Sequence, residues 1–378
     1  MRLLVFTTQF PPEIGGVETM TWELSRHLQE QGVELTVLAP EVPHCVNFDQ
    51  ANTLRTKRYA LPGTNSGIAK LKQKRVLARL LRETARETAP EFILCTAWDP
   101  CAYIASITTL RGKRIPYFLI AHGMELFQLP KGFGARAAKA LMRKRALLGA
   151  ERIIAVSNFT RDRLIELGIQ PGAIRVIPNG VGAVDTSPLV SQNAVITTVA
   201  RLVPRKGHDT VLRAMPLVLR RVPKAVYKIV GTGPELGRLK ELVTDLGLDG
   251  HVEFCGQVTD SERTRLLDEC SVFVFATRTT PTDFEGLGIA VLEAMQKSKP
   301  VVVTRAGGVP ELVEDRQTGL IVEPDDPSRL ADAITELLLN RPLAEAMGRR
   351  AESVVRERYD WKAIASRYVT EMAVCANS

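Results

Sequence analysis

"SVFVFATRTTPTDFEGLGIAVLEAM", residues 271–295, reads as a strand, a loop and the opening of a helix. Val272–Phe275 is apolar without alternation. That pattern marks a strand covered on both faces, as in a parallel sheet flanked by helices. The loop places Gly286 and Gly288 at the mouth of the helix. Two carboxylates, Glu285 and Glu293, stand eight residues apart in an otherwise apolar stretch.

The same alternation extends in both directions. "AVITTVARL" leads to "DTVLRAMPLVLRRV", "VYKIVGTG" to "ELGRLKELVTDLG", and "HVEFCGQV" to "SERTRLLDEC". "PVVVTRAGG" and "TGLIVEP" follow. Upstream, "RLLVFTT" precedes "GVETMTWELSRHLQEQG" and "ELTVLAP", with "RIPYFLIAHG" and "RIIAVSNFTRDRLIELG" beyond. Periodicity fails at "GAVDTSPLVSQN", residues 182–193, where turn residues gather into a linker. The economical account is α/β: two doubly wound units in series, residues 1–184 and 185–359. The helical tail, residues 360–378, is expected to pack back onto the first unit.

Composition narrows the class. The 378-residue chain is 45% hydrophobic and 24% charged, as globular proteins are. It holds no apolar run long enough to span a membrane. The opening run is short and meets Pro11 and Pro12, so it reads as a strand and not a leader. Cys45, Cys95, Cys101, Cys255, Cys270 and Cys375 form no C-x-x-C pair and have no His at zinc-ligand spacing. Reduced thiols in a cytoplasmic protein are expected, without disulfide or metal.

The charge is uneven. Residues 1–190 carry 25 Lys/Arg against 16 Asp/Glu, and the remainder 25 against 26, so the net +8 comes from the first half. Two basic stretches account for much of it. Residues 69–90 include Lys70, Lys72, Lys74, Arg75, Arg79, Arg82 and Arg86. Residues 131–153 include Lys139, Arg143, Lys144 and Arg145. Such stretches lie on an anionic membrane surface or form a solvated outer face. Aromatics are only 6% of the chain, and no zinc finger or RNP-like sequence accompanies the charge, so a nucleic-acid partner is not expected.

In open parallel sheets, ligands bind beyond the carboxyl ends of the strands. Four loops there are unusual. Gly15 and Gly16 precede a helix whose free N–H groups suit an anion or a sugar hydroxyl, or simply begin the helix. Arg201 and Lys206, five residues apart, could converge on a pyrophosphate or stay solvated. Gly231 and Gly233 begin a dinucleotide-like fingerprint, with Glu253 about twenty residues on, but Leu236 replaces the third glycine, so the pair reads as a close-packed strand-to-helix turn with its backbone near a nucleotide. In the fourth loop, the glycines Gly286 and Gly288 leave the amides of Leu287, Gly288 and Ile289 free to face a phosphate. At 1.5 Å per residue, Glu293 lies about 12 Å along from Glu285. A glycosidase pair must stand about 5–5.5 Å or 6.5–9.5 Å apart. The two acids instead suit the two ends of a long ligand with a diphosphate between, or else Glu293 is an exposed helix residue and Glu285 a capping acid. His122 closes an apolar strand and precedes Gly123, a position suited to a ligand.

Taken in order, Gly15-Gly16-Val17-Glu18, His122-Gly123, Arg201 with Lys206, Gly231-x-Gly233 and Glu285-x7-Glu293 resemble the family-4 retaining glycosyltransferases of GT-B architecture. "RTTPTDFEGLGIAVLEA" looks most like bacterial mannosyltransferases acting on inositol lipids. The resemblance implies two Rossmann-like domains facing across a cleft, an N-terminal one for the acceptor and a C-terminal one for the nucleotide sugar. It implies metal-free transfer of a hexose from GDP-mannose or a UDP-sugar, with retention and by front-side attack. The acceptor would be a hydroxyl of a lipid-linked, cell-envelope or small molecule. By the same resemblance Arg201 and Lys206 neutralise the diphosphate, Glu293 binds ribose, Glu285 holds the sugar hydroxyls and His122 touches the transferred sugar. Gly16 approaches the phosphate or acceptor, and Val258 lies beside the base. The enzyme would sit peripherally at the inner face of the cell membrane. Three other readings stay open: a nucleotide-sugar epimerase or hydrolase, a nicotinamide-dependent oxidoreductase resting on Gly231-x-Gly233, and a non-catalytic sugar-nucleotide binder.

Overall fold

The computed structural model describes residues 1–13, 15–60, 67–110, 112–123, 126–128, 130, 132–182 and 194–376, with the side chains of 67–71 also outside the description. The chain divides into two units, Met1–Gly180 with Trp361–Ser378, and Val181–Asp360. The division falls four residues before the expected one. Val181 and Asp360 form an isolated parallel bridge, and the Val181 amide donates to the Tyr359 carbonyl at 2.9 Å, which binds the two ends of the second unit together. The expected linker lies, from residue 183, outside the described residues.

The first unit runs β1 (Arg2–Phe6), α1 (Gly16–Glu30), β2 (Glu34–Pro40), α2 (Cys45–Gln50), β3 (Arg55–Tyr59), α3 (Gly67–Thr88) and β4 (Phe92–Cys95). An irregular helical turn, Trp98–Ala102, leads into α4 (Tyr103–Ile107) and a small ribbon of β5 (Thr109–Leu110) and β6 (Lys113–Arg114). Then come β7 (Tyr117–Ala121), α5 (Phe133–Leu148), β8 (Arg152–Ala155), α6 (Asn158–Glu166) and β9 (Ile174–Val176). The sheet is parallel with order β3-β2-β1-β4-β7-β8-β9.

The second unit runs β10 (Val195–Val199), α7 (His208–Arg221), β11 (Val226–Val230), α8 (Leu236–Asp245), β12 (Val252–Gly256), α9 (Asp260–Glu269) and β13 (Val272–Phe275). It continues with α10 (Ile289–Gln296), β14 (Val301–Thr304), β15 (Gly319–Val322), α11 (Pro327–Leu339) and α12 (Arg341–Arg358). Its parallel order is β12-β11-β10-β13-β14-β15.

These strands form because both faces are covered. Every residue of β7, β13 and β14 is buried. In the second unit, Val211, Met215 and Val218 of α7 pack with Leu330, Ile334 and Leu337 of α11 in the core that also holds Ile196 and Ile229. Each such side chain stabilises by about 1.5–3 kcal/mol on burial. The final helix, α13 (Trp361–Ala376), belongs to the first unit and packs along α1. Trp361 is buried and stacks on His27 with ring centroids 6.5 Å apart, and Gln31 donates to the Lys362 carbonyl at 2.8 Å.

Strand order reverses between β1 and β4 in the first unit and between β10 and β13 in the second. Loops at the carboxyl ends of those pairs diverge onto opposite sides of the sheet, which opens a crevice for a ligand.

Candidate functional site

In the second unit, the loops after β10 and β13 are locked together at this reversal. Gly207 takes φ +64°, and a β-carbon there would lie 1.8 Å from the Ala276 carbonyl oxygen. The Arg278 amide donates to the Arg205 carbonyl at 2.8 Å, and its guanidinium reaches the Pro204 carbonyl at 3.0 Å and Asp209 at 2.9 Å.

On that frame Arg205 and Lys206 both meet Glu285. Nη1 of Arg205 and Nζ of Lys206 each lie 2.5 Å from Glu285 Oε2. Arg205 also pairs with Asp283 at 2.9 Å, and Lys206 Nζ stands 4.5 Å above the Phe275 ring. Burial opposes ionisation of Glu285, but Lys206 and Arg205 outweigh it and hold the carboxyl below its ordinary range. Burial lowers the Lys206 ammonium, with Glu285 pulling the other way. The backbone of Glu285 is fixed as well. Its carbonyl accepts from Gly308 at 2.9 Å, and a β-carbon on Gly307 would come within 2.2 Å of that oxygen.

Arg201 differs from Lys206. Its side chain is exposed, and its guanidinium pairs with none of the described residues. Behind it, the buried ring of His208 places Nε2 3.2 Å from the Arg201 carbonyl and Nδ1 3.3 Å from the Tyr227 hydroxyl.

The helix mouth is open. α10 starts after Gly288, at φ +96°, with no side-chain cap; the Val291 amide turns back to the Gly288 carbonyl at 2.9 Å, which leaves the amides of Ile289 and Ala290 without a partner inside the helix. Gly286 and Leu287 are buried beside it. Helix begins only at Ile289, so the eight-residue helical rise expected between Glu285 and Glu293 does not apply. Glu293 points from α10 toward α9, where Arg263 Nη2 lies 3.3 Å away. Burial raises its carboxyl above the usual range against the pull of Arg263.

The glycine pair has a packing cause. Gly231 takes φ +136°, and a β-carbon would stand 2.1 Å from the Ala200 carbonyl oxygen; one on Gly233 would stand 2.3 Å from that of Leu202. The turn after β11 therefore presses on the Arg201 loop. Glu253, which completed the dinucleotide pattern, lies on β12 and pairs with Lys228 of the neighbouring strand at 3.6 Å. Val258 follows edge strand β12, which β11 separates from β10, and is half-buried.

The remaining expected residues lie in the first unit. His122 follows β7, with Nε2 3.0 Å from the Thr96 carbonyl just beyond β4. Thr96 in turn donates to Thr7 Oγ1, just beyond β1, at 2.7 Å. His122 thus stands beside the reversal of the first sheet. Gly15 is extended at φ 177°, and Gly16 opens α1. A β-carbon on Gly15 would come within 2.2 Å of Oε2 of Glu18, a buried acid in the first turn that accepts from Gln9 at 3.1 Å. An acid of the chain's own therefore occupies the start of this helix.

The basic stretches do not form one face. On α5, Lys144 and Arg145 point outward with Phe133, Leu141 and Leu148, which are 91%, 70% and 59% exposed. Lys139 and Arg143 turn inward instead. Lys74 of α3 also turns in, to Asp99 at 2.7 Å, while Lys72, Arg75, Arg79 and Arg86 stay exposed. Arg205, Arg263, Gly207, Gly307 and Gly308 were not singled out by sequence reasoning. Arg205 is the neighbour of Lys206 in the chain, and both late glycines lie in "PVVVTRAGG".

The sequence profile of Glycosyltransferase Family 4 matches residues 14–183, and that of Glycosyl transferases group 1 matches residues 185–354. The GDP-mannose-dependent alpha-(1-6)-phosphatidylinositol monomannoside mannosyltransferase of Mycobacterium tuberculosis is 31% identical over 97% of this chain and 96% of that protein. The phosphatidyl-myo-inositol mannosyltransferase of Mycolicibacterium smegmatis is 27% identical over 93% and 88%. Among solved structures, HepE of Anabaena in complex with UDP superposes with a TM-score of 0.80 at 21% identity, over 99% of this chain and 100% of that one. Sucrose-phosphate synthase of Thermosynechococcus elongatus gives 0.80 at 19%, over the whole of both.

Proposed function

We infer the reaction from the family: this chain belongs to the family-4 glycosyltransferases of GT-B fold, and it is an enzyme that moves a sugar from a nucleotide sugar. The donor we assign is GDP-mannose and the acceptor a hydroxyl of an inositol-containing lipid. The names of the mycobacterial relatives support this choice.

The observation that carries the reading is the convergence of Arg205 and Lys206 on Glu285 beside the uncapped start of α10. A diphosphate there meets two half-neutralised cations, the Arg201 guanidinium, which pairs with none of the described residues, and the amides of Ile289 and Ala290. Glu285 opposes the loss of charge that burial favours at Lys206, and it stays available to accept from sugar hydroxyls. Glu293 accepts from the ribose diol at the far end of the nucleotide. His122 is assigned to the transferred sugar.

The step is a front-side displacement with retention. The bond from the anomeric carbon to the leaving phosphate oxygen breaks. The bond to the acceptor oxygen forms on the same face, and the acceptor's proton passes to the departing phosphate. Arg201, Arg205, Lys206 and the α10 amides stabilise the charge that develops on that phosphate, so the transfer proceeds without a metal. The outward face of α5, with Phe133, Leu141, Leu148, Lys144 and Arg145, seats the enzyme on an anionic membrane. No helix among the described residues is long and apolar enough to cross one.

A thermal-shift panel of GDP-mannose, UDP-glucose and an ADP-sugar tests the donor, since binding raises the melting point according to affinity. Transfer to vesicles containing phosphatidylinositol, with and without EDTA, then tests acceptor and metal, and NMR of the anomeric centre tests retention. GDP-mannose is expected to give the largest shift, with turnover unchanged by EDTA and an α-linked product. A larger shift with UDP-glucose, or a β-linked product, overturns the corresponding part.

A further inference from the structure

The inward face of α5 carries charge where a helix normally carries its apolar seam. Lys139 and Arg143 are one turn apart, about 40° around the helix axis. They lie on the same side as the buried Ala146 and Leu147, toward the Trp98–Ala102 turn and α4 that α5 packs against. Both are half-buried. Two like charges at this spacing repel on a helix, and burial adds a desolvation cost.

Nothing among the described residues neutralises them. Lys139 Nζ stands 5.5 Å above the Trp98 ring, and Arg143 Nη1 donates to the Leu126 carbonyl at 2.5 Å. Both partners are neutral. Among the described residues the acid beside Trp98 is Asp99, and it is taken by Lys74 at 2.7 Å. Burial alone moves the Arg143 guanidinium, downward, with no acid opposing it. The place is also telling. Trp98 lies three residues beyond β4 and Leu126 five beyond β7, at the carboxyl ends of adjacent central strands, where His122 also stands.

We propose that Lys139 and Arg143 form a site for a phosphate group, and that this phosphate belongs to the acceptor. A phosphate monoester or diester supplies the missing negative charge, and its oxygens accept from both side chains at once. Arg143 is held toward the site by Leu126, and Lys139 by Trp98. Specificity then follows: an acceptor with a phosphate near its reacting hydroxyl is favoured over the same polyol without one. The assignment to the acceptor rests on the reading of the first unit as the acceptor domain.

The full-length chain is titrated calorimetrically with glycerophosphoinositol, free inositol, glycerol 3-phosphate and inorganic phosphate. The titrations are repeated on Lys139→Gln/Arg143→Gln and on the charge-keeping Lys139→Arg/Arg143→Lys. Glycerophosphoinositol is expected to bind at least tenfold tighter than inositol. The glutamine pair should erase that preference and the charge-keeping pair should retain it, with the GDP-induced melting shift equal in all three. In turnover the glutamine pair should raise the acceptor KM about tenfold at unchanged kcat. Should the glutamine pair not fold, the two single glutamine variants are read, each with a loss of threefold or more. Equal affinity for inositol and its phosphodiester, wild-type affinity in the glutamine variants, or no binding of any phosphorylated compound at millimolar concentration overturns the site. If glycerol 3-phosphate or inorganic phosphate binds as well as glycerophosphoinositol, and through these two residues, the site stands and the inositol-lipid acceptor falls.

Discussion

Lys206 and Glu285 are in contact at 2.5 Å although 79 residues separate them in the chain, and their side chains are only 10% and 17% exposed. The pair joins the loop after β10 to the loop after β13. Arg205 makes the arrangement a triad, so its members are not interchangeable.

Glu285→Gln leaves Lys206 buried without its counter-charge, whereas Lys206→Met leaves Glu285 still paired with Arg205. Breaking a buried pair costs about 3–5 kcal/mol. The glutamine variant is therefore expected to melt about 6–12 °C lower for a loss near the bottom of that range, and lower than the methionine variant. Both should lose donor turnover by at least a hundredfold. Calorimetry on the two variants decides the order; equal melting points would contradict the triad. The carboxyl of Glu285 is depressed in the folded chain, so its stabilisation is present at neutral pH and lost as pH falls through the carboxylate range.

Glu293 has the opposite sign. Its folded carboxyl is raised, so its contribution is full below the unfolded value of about 4.3 and declines as pH rises through the folded value. Glu293→Gln should melt higher than the parent at pH 7 and no higher at pH 4. If the ribose diol binds here, the same variant should raise the donor KM about tenfold with kcat kept. A lower melting point at pH 7 would show that Arg263 matters more than burial.

His208 should make the second unit acid-sensitive. Burial takes its ring from 6.5 to about 4, so the unfolded chain takes up the proton first. Stability is flat above about pH 6.5 and falls by about 3 kcal/mol as pH drops to 4. His208→Gln should flatten that part of the profile, as measured by urea midpoints across pH. An unchanged slope would assign the acid loss to carboxylates alone.

The outer face of α5 predicts a separation of binding from folding. Phe133 and Leu141 are 91% and 70% exposed, so Phe133→Ala and Leu141→Glu should leave the melting point unchanged. Both should weaken sedimentation with anionic vesicles. Lys144→Glu/Arg145→Glu should weaken it more than tenfold, since each basic residue near such a surface contributes about 1 kcal/mol. Equal sedimentation with neutral vesicles and at high salt would remove the membrane contact.

The apolar runs of Val272–Phe275 and Tyr117–Ala121 specify buried parallel strands by themselves, because burial on both faces demands continuous apolar residues. Gly231 and Gly288 were likewise visible as necessary turns, since left-handed backbone and close approach both select glycine. Strand order was not visible. It placed the Lys206 loop beside the Glu285 loop and so turned two separated motifs into one ion-pair network. Which way a basic side chain faces was hidden for the same reason. Lys139 and Lys144 look alike in the chain, but helix rotation against Trp98 half-buries one and leaves the other in water. Local sequence sets local conformation, whereas charge pairing and burial depend on which distant segments the fold brings together.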